Sequence, residues 1–284
     1  MVTDYPVKFF PYSLLGLFVR KPHKKCNEII FLASYQQNIS IIKMKRRNIL
    51  AIIALTTIGW TMASCHNYCI DGNGNAVTES RIPTGDFDEI SVAANFNAVV
   101  TPYTKDSISV EAESNLMPYI ITEVSGNRLI LRTPTNNCVD PQKPIVIHVF
   151  AKNVGRLDIS GSGSITTDAI TTGELAVNIS GSGKISANTT ATKVSANISG
   201  SGNIVLTGSA TDANYRISGS GNIDASALIS QNCYSVISGS GNIYCSATDK
   251  LDVTISGSGS VYYKGTPGSV NANISGSGKL VQSN

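Results

Sequence analysis

The sequence predicts an all-β chain that folds as a parallel β-helix, or β-solenoid. The pentapeptide Ile-Ser-Gly-Ser-Gly occurs seven times, beginning at Ile159, Ile179, Ile198, Ile217, Ile237, Ile255 and Ile274. Successive copies are 18 to 20 residues apart. Around each copy, apolar and polar residues alternate with the period of two that is typical of a strand with one buried face. Because such short strands cannot bury a face alone, the copies are expected to stack on one another.

Each coil of about 19 residues is predicted to hold two short strands joined by a Gly-Ser-Gly bend. The inward positions lie four and two residues before the motif Ile and six residues after it. Glycine gives the bend its backbone freedom and lets coils stack without a Cβ clash. The bend glycines are Gly161, Gly163, Gly181, Gly183, Gly200, Gly202, Gly219, Gly221, Gly239, Gly241, Gly257, Gly259, Gly276 and Gly278. Stacking also predicts a serine ladder and a short asparagine ladder, the latter formed by Asn203, Asn222 and Asn242.

The N-terminal region has the order of a bacterial secretory signal. A basic stretch begins at Met44, and a twelve-residue apolar run, too short for an ordinary membrane span, ends at Trp60. Small residues then precede Cys65 as in a lipobox, so we expect residues 44–64 to be a signal peptide and Cys65 to be lipidated. The alternative is a plain secreted protein that is cleaved nearby. Residues 1–43 are interpreted as a start-codon artefact.

The remaining chain is divided into an N-terminal tether (65–75), a β-rich half that caps the helix (76–158) and the seven-repeat β-helix (159–284). Residues 65–284 carry thirteen basic and seventeen acidic side chains, so a basic nucleic-acid footprint is absent. Five strands are expected in the capping half, with one helical turn near Pro118 and a tight turn at Gly126. The expected strands are Phe87–Val92, Asn97–Thr101, Ile108–Glu113, Arg128–Arg132 and Ile145–Phe150.

Catalytic and metal chemistry find little support in the sequence. His66 and His148 have no Cys or acidic partner at metal-ligand spacing, so we expect neither a metal nor a cofactor. No glycine-rich loop has the strand-to-helix context of a nucleotide site. The acids of the repeats are scattered. Glu111 and Glu113 would share one strand face and could form a carboxylate pair, but we interpret them as part of a solvated strand surface.

Two pairs of cysteines are candidates for disulfides in an oxidising compartment. Cys233 and Cys245 occupy inward positions of one coil and should face each other across a thin core. They would be either bridged or two buried thiols that act as small hydrophobes. Cys69 and Cys138 are a second, less supported pair.

Two outward tyrosines give the best hint of a binding site. Tyr244 and Tyr262 share one position on consecutive coils and should stack side by side on the outside. Such a pair could hold a sugar ring or a partner's aliphatic side chains, or it could simply be a cross-strand pair. No polar capping element follows the last coil, and an open β-edge favours homo-oligomers formed by self-association.

Several segments together resemble the auto-transporter adhesin head GIN domain family. They are the lipobox, Gly72-Asn73-Gly74, the Phe87–Val92 strand, Asn115–Ile120 and the Ser-Gly-Ser-Gly series. The resemblance covers residues 71–280 and implies a right-handed, pectin-lyase-like β-helix. Members are mostly envelope proteins of Bacteroidetes-type bacteria with a role in adhesion, and they offer no catalytic residues to carry over.

The first functional hypothesis is therefore a non-catalytic, adhesin-like lipoprotein. A lipid anchor would hold it to the outer membrane, on the surface or the periplasmic face. It would bind glycan or protein ligands, including those on a host or neighbouring cell. The alternatives are a self-assembling structural module of the envelope and, with less support, a carbohydrate-active enzyme.

Overall fold

Parallel strands stacked coil on coil form most of the molecule. The structure is a computed structural model that describes residues 69–135 and 137–283; the predicted signal peptide and Cys65 lie outside them. The N-terminal strands are β1 (Ile70–Asp71), β2 (Ala76–Arg81), β3 (Glu89–Val92), β4 (Asn97–Pro102), β5 (Ser107–Glu113), β6 (Ile121–Ser125), β7 (Arg128–Arg132), β8 (Val139–Asp140) and β9 (Val146–Ala151). A single 3-10 turn, Met117–Tyr119, lies between β5 and β6.

The repeat region supplies the remaining strands. They are β10 (Arg156–Ile159), β11 (Ser164–Gly181), β12 (Lys184–Gly200), β13 (Asn203–Gly219), β14 (Asn222–Gly239), β15 (Asn242–Gly257), β16 (Ser260–Lys264), β17 (Ser269–Gly276) and β18 (Lys279–Gln282). Strands β10 to β16 each pair in parallel with the following coil, and the motif isoleucines stack in register, as Ile179 does on Ile198. The predicted β-solenoid is confirmed. No helix among the described residues is long and apolar enough to cross a membrane.

The coils differ from the prediction in one respect. Instead of two short strands per coil, β11 to β15 are single strands of 16 to 18 residues that begin after one bend and continue to the next. The parallel ladder continues through the corner and only shifts register there, for example between Thr166 and Ala169. A corner without a Gly-Ser-Gly bend can therefore keep its backbone hydrogen bonds to the coil below.

The core is a narrow column of inward side chains. Ile165, Ile185, Ile204, Ile223, Ile243 and Val261 are fully buried, as the alternation predicts. The asparagine ladder is also confirmed, because the Asn222 amide donates to Asn203 Oδ1 at 3.3 Å and the Asn242 amide donates to Asn222 Oδ1 at 3.3 Å.

Stacking of the bends depends on glycine. At Gly200 the backbone φ is +146°, a conformation that L side chains rarely adopt. A Cβ built at this position would lie 2.5 Å from the carbonyl oxygen of Gly181 in the coil below. The bends therefore approach more closely than any side chain allows.

Two further coils precede the repeats. Strands β3 and β4 stack on β10 and β11, and β7 and β9 stack on the other side of β3 and β4. The outermost of these coils is covered by antiparallel strands, because β6 pairs with β7 and β5 pairs with both β9 and β2. The parallel ladder thus continues across residue 159, and the antiparallel strands close its N-terminal end.

A buried carboxylate fastens the start of the described chain to this end. Glu113 is fully buried and accepts hydrogen bonds from the backbone N–H groups of Gly74, Gln142 (2.9 Å) and Lys143 (3.4 Å). The Gln142 amide in turn donates to the Gly72 carbonyl at 2.6 Å. We call this group the Glu113 clamp.

The clamp corrects two sequence-based interpretations. Glu111 is exposed whereas Glu113 is buried, so the two acids form neither a pair nor a common solvated surface. A Cβ on Gly72 would collide with the Glu113 carboxylate, which explains the glycine of the Gly72-Asn73-Gly74 segment. Beside the clamp, Cys69 and Cys138 form a disulfide, and β1 pairs with β8.

The bridge suggested for Cys233 and Cys245 is not formed. Both are free, fully buried thiols, and Cys233 Sγ lies 3.5 Å from Ser235 Oγ. The neighbouring Cys233 side chain and burial raise the pKa of the Cys245 thiol, which favours its protonated form. Inward positions on one coil bring the sulfurs together without a covalent bond, and the thiols fill the core as small hydrophobes.

Candidate functional site

An open groove runs across six coils beside the bends. It has a volume of about 440 Å³ and is lined by Ser91, Arg128, Asp158, Ile159, Ser160, Asn178, Ile179, Ser180, Asn197, Ile198, Ser199, Arg216 and Ser218. We call it the serine groove. The isoleucines form its buried floor, and Ser160, Ser180, Ser199 and Ser218 present exposed side chains at the same position of successive coils.

Opposite the serines, amide side chains form a directional chain along the groove. Asn197 Nδ2 donates to Asn178 Oδ1 at 2.9 Å, and Asn178 Nδ2 donates to Asp158 Oδ1 at 2.7 Å. Every donor points towards the N-terminal coils. Asn197 Oδ1, at the other end of the chain, accepts no hydrogen bond from the residues that the structure describes.

The N-terminal end of the groove is electrostatically neutralised. Arg128 pairs with Glu89 at 2.7 Å and with Asp158 at 3.5 Å, and Arg156 adds longer contacts to the same two carboxylates. Burial raises the pKa of Glu89, but the hydrogen bond and charge of Arg128 outweigh it and leave that pKa below its usual value. The charges of these four side chains therefore compensate one another.

The C-terminal end of the groove adjoins a second hollow. This hollow, of about 280 Å³, is lined by Ser195, Asn197, Asn214, Tyr215, Arg216, Tyr234 and Val236. We call it the tyrosine hollow, after the half-buried Tyr234. Asn197 and the exposed Arg216 line both depressions, so these two side chains lie on the boundary between them.

The predicted tyrosine pair lies elsewhere, on β15 and β16. The rings of Tyr244 and Tyr262 stack with centroids 4.8 Å apart and an interplanar angle of 11°. One face of each ring is therefore covered by the other ring. On the adjacent coils, Asp224 lies next to Tyr244 and Val281 lies next to Tyr262. Tyr244 is 37% exposed, so the pair is a cross-strand contact with an accessible outer edge. Its role in binding remains a prediction.

The groove offers hydrogen-bond donors and acceptors and no acid–base pair. Asp158 is the single carboxylate among the residues that line it, and it is occupied by Asn178 and Arg128. Hydrolysis of a glycoside would need two carboxylates across the bond. Within residues 69–135 and 137–283, no three His, Cys, Asp or Glu side chains gather as a set of metal ligands.

Sequence reasoning predicted the serine ladder but missed its opposite wall. Asn178, Asn197 and Arg216 each stand directly before the motif isoleucine, and Tyr234 stands three residues before it. A comparison of the residues at these outward positions in successive coils could have identified this wall from the sequence.

Comparisons with known proteins agree with this architecture. A putative adhesin from Bacteroides fragilis NCTC 9343 is similar, with 24% identity, a TM-score of 0.70 and coverage of 75% of this chain and 100% of that one. A putative lipid binding protein from Parabacteroides distasonis ATCC 8503 has 27% identity, a TM-score of 0.64 and coverage of 76% and 100%. A putative adhesin from Parabacteroides merdae ATCC 43184 has 24% identity, a TM-score of 0.58 and coverage of 76% and 99%.

Among curated proteins, none matches the chain significantly. A family model does match it, over residues 86–267, which is more than half of its 284 residues. The model's description is "putative auto-transporter adhesin, head GIN domain". The matched segment includes β3 to β16 and therefore both the serine groove and the tyrosine hollow. The chain belongs to this adhesin head GIN domain family.

Proposed function

We propose that the protein is a non-catalytic adhesin of the cell envelope that binds glycans in the serine groove. The groove itself carries the proposal, because it presents exposed hydroxyl groups and half-buried amide groups at regular intervals over a buried apolar floor. Sugar hydroxyls both donate and accept hydrogen bonds, and serine and asparagine side chains match them in both roles. The family and the adhesin-like neighbours support a binding role.

The same proposal includes attachment to the membrane. Residues 44–64 would act as a signal peptide, and the lipidated Cys65 would anchor the chain to the outer membrane. Cys69 lies four residues further along and is tied to Cys138, so the capped end of the solenoid would be held close to the anchor. The groove begins at Arg128 on β7 and extends away from that end as far as β13.

A groove-blocking variant tests the site. In Ser199→Trp an indole would occupy the middle of the groove, on a strand that tolerates aromatic residues. We expect binding to an oligosaccharide panel, measured by calorimetry, to fall at least about tenfold. Ser186→Trp makes the same change on the same strand outside the groove and should leave binding intact.

Four outcomes would count against this proposal. Equal binding by Ser199→Trp and the unmodified protein would exclude the groove. Loss of binding in Tyr244→Ala/Tyr262→Ala alone would move the site to the tyrosine pair. Binding to no member of the panel would favour the structural-module hypothesis, and turnover of an oligosaccharide would favour an enzyme. Circular dichroism of each variant confirms that it is folded.

The last coil favours self-association as a second candidate function. Val270 and Ile274 are 42% and 40% exposed, whereas the corresponding residues of the preceding coil, Leu251 and Ile255, are fully buried. Strands β17 and β18 carry a single charged side chain, Lys279, so a second copy could pair with this edge without repulsion between many like charges.

Light scattering tests self-association. We expect the mass of the particle to rise with protein concentration and to remain that of a monomer in Val270→Lys/Ile274→Lys, because charges at both positions would oppose burial. Ser269→Lys/Asn273→Lys adds the same charge to the same strand at polar positions and serves as the control. A monomeric mass of the unmodified protein at millimolar concentration would contradict the idea.

A further inference from the structure

One cation of the groove is left without a counterion. Arg216 projects from β13 between the buried Tyr215 and Ile217, and its neighbours on the adjacent coils are Asn197 and Val236. It is exposed, and among the described residues it forms no ion pair and no hydrogen bond. Neither of those two neighbours carries a charge that could compensate it.

The other basic side chains near the two depressions are neutralised. Arg128 and Arg156 contact Glu89 and Asp158. Lys250 lies 5.3 Å from the ring centre of Tyr234, but it pairs with Asp252 at 2.7 Å. The charge of Arg216 therefore stands alone at the junction of the serine groove and the tyrosine hollow.

The groups around Arg216 complete a recognition site. Asn197 lies next to Arg216 on the preceding coil, and its Oδ1 is an acceptor that is not used by the described residues. Tyr234 contributes an aromatic surface from the following coil. A guanidinium presents its N–H donors in a planar fork that fits a carboxylate or a sulfate with two parallel hydrogen bonds. A neutral sugar would leave this fork without its best partner.

We propose that the groove selects acidic glycans and that Arg216 binds the carboxylate or sulfate group of one sugar residue. This inference rests on the proposed glycan-binding function and adds the class of ligand. The neighbouring sugar residues would lie along Ser199 and Ser180. Asn197 Oδ1 would accept a hydrogen bond from a sugar hydroxyl beside the acidic group.

The test compares three sets of oligosaccharides of equal length, which are neutral, uronic-acid-containing and sulfated, by calorimetry at two salt concentrations. We expect the unmodified protein to bind at least one acidic set more tightly than the neutral set, with a preference that weakens as salt rises. Arg216→Ala should lose about 10- to 100-fold in affinity for that acidic set. The loss for the neutral set should be smaller, so that Arg216→Ala no longer prefers the acidic set.

Two further variants sharpen the result. Arg216→Lys keeps the charge but loses the fork, so its affinity for the acidic set should lie between those of Arg216→Ala and the unmodified protein. Lys184→Ala removes one exposed positive charge from the neighbouring strand β12 and should leave the acidic preference intact. Thermal melting confirms that each variant is folded, and Arg216→Gln replaces Arg216→Ala if the latter is not.

The outcomes separate the two proposals. Equal affinity for neutral and acidic sets, unchanged in Arg216→Ala, would overturn the role of Arg216 and leave the glycan-binding function standing. A preference for acidic sets that Lys184→Ala and Arg216→Ala weaken equally would also overturn it, because net charge alone would then explain the effect. Absence of binding to all three sets would overturn the glycan-binding function itself.

Discussion

Gly200→Val is expected to cost the solenoid at least about 3 kcal/mol of unfolding free energy, through strain at a positive φ and through overpacking. The new Cβ would start 2.5 Å from the Gly181 carbonyl oxygen, and neither can move away, because the parallel ladder fixes the backbone of both residues. For a chain of this size the loss corresponds to a fall of about 6 to 12 °C in the melting temperature.

Gly173→Val is the matched control for this prediction. Gly173 lies on β11 away from the bend, and a Cβ built there meets nothing within 4 Å. We expect its melting temperature to stay within about 2 °C of the unmodified protein, because an exposed β-branched residue suits a strand. Equal melting temperatures for the two variants, measured by circular dichroism, would contradict the account of the bends.

Glu113→Ala should have the second largest effect, because it removes the acceptor of three backbone N–H groups at once. The donors belong to Gly74, Gln142 and Lys143, and all three bonds end on the one buried carboxylate. Losing three hydrogen bonds to a charged group at once should lower the free energy of unfolding by about 3 kcal/mol. Urea unfolding with the disulfide intact measures this loss.

Glu111→Ala provides the comparison, since Glu111 is an exposed acid two residues earlier on the same strand. We expect it to change the free energy of unfolding by less than about 0.5 kcal/mol. Limited proteolysis adds a local readout, because residues 72–75 should become cleavable in Glu113→Ala first. Comparable urea midpoints for both variants would show that the Glu113 clamp does not hold the N-terminal segment.

The repeat made most of the solenoid predictable from sequence. A motif that recurs every 19 or so residues defines the coils, and strict alternation defines which side chains point inward. The paired coils β3–β4 and β7–β9 escaped the repeat search because their bends lack the Gly-Ser-Gly sequence. A Cβ on Gly161 would lie 3.6 Å from the Ala94 oxygen, whereas the distance at Gly200 is 2.5 Å, so the stack is looser at this one position. A Cβ on Gly163 would lie 2.6 Å from the same Ala94 oxygen, so the bend above Ala94 still requires glycine there.

The candidate site was less predictable, for physical reasons. Period two places Glu111 and Glu113 on the same face, and only the chain that returns to contact Glu113 distinguishes the two acids. The isolation of Arg216 depends on which coils supply acids beside it, and sequence spacing alone does not show that Glu89 lies next to Arg128 rather than Arg216. Cys233 and Cys245 were correctly placed inside, but their separation depends on the width of the core.

A crystal structure of the protein with the tightest-binding oligosaccharide of the panel is the most direct test of the central claim. We predict that the sugar chain lies along Ser180 and Ser199 in the serine groove, with its acidic group against the guanidinium of Arg216. An oligosaccharide bound at Tyr244 and Tyr262, or at the capped N-terminal end, with the serine groove empty, would contradict the account.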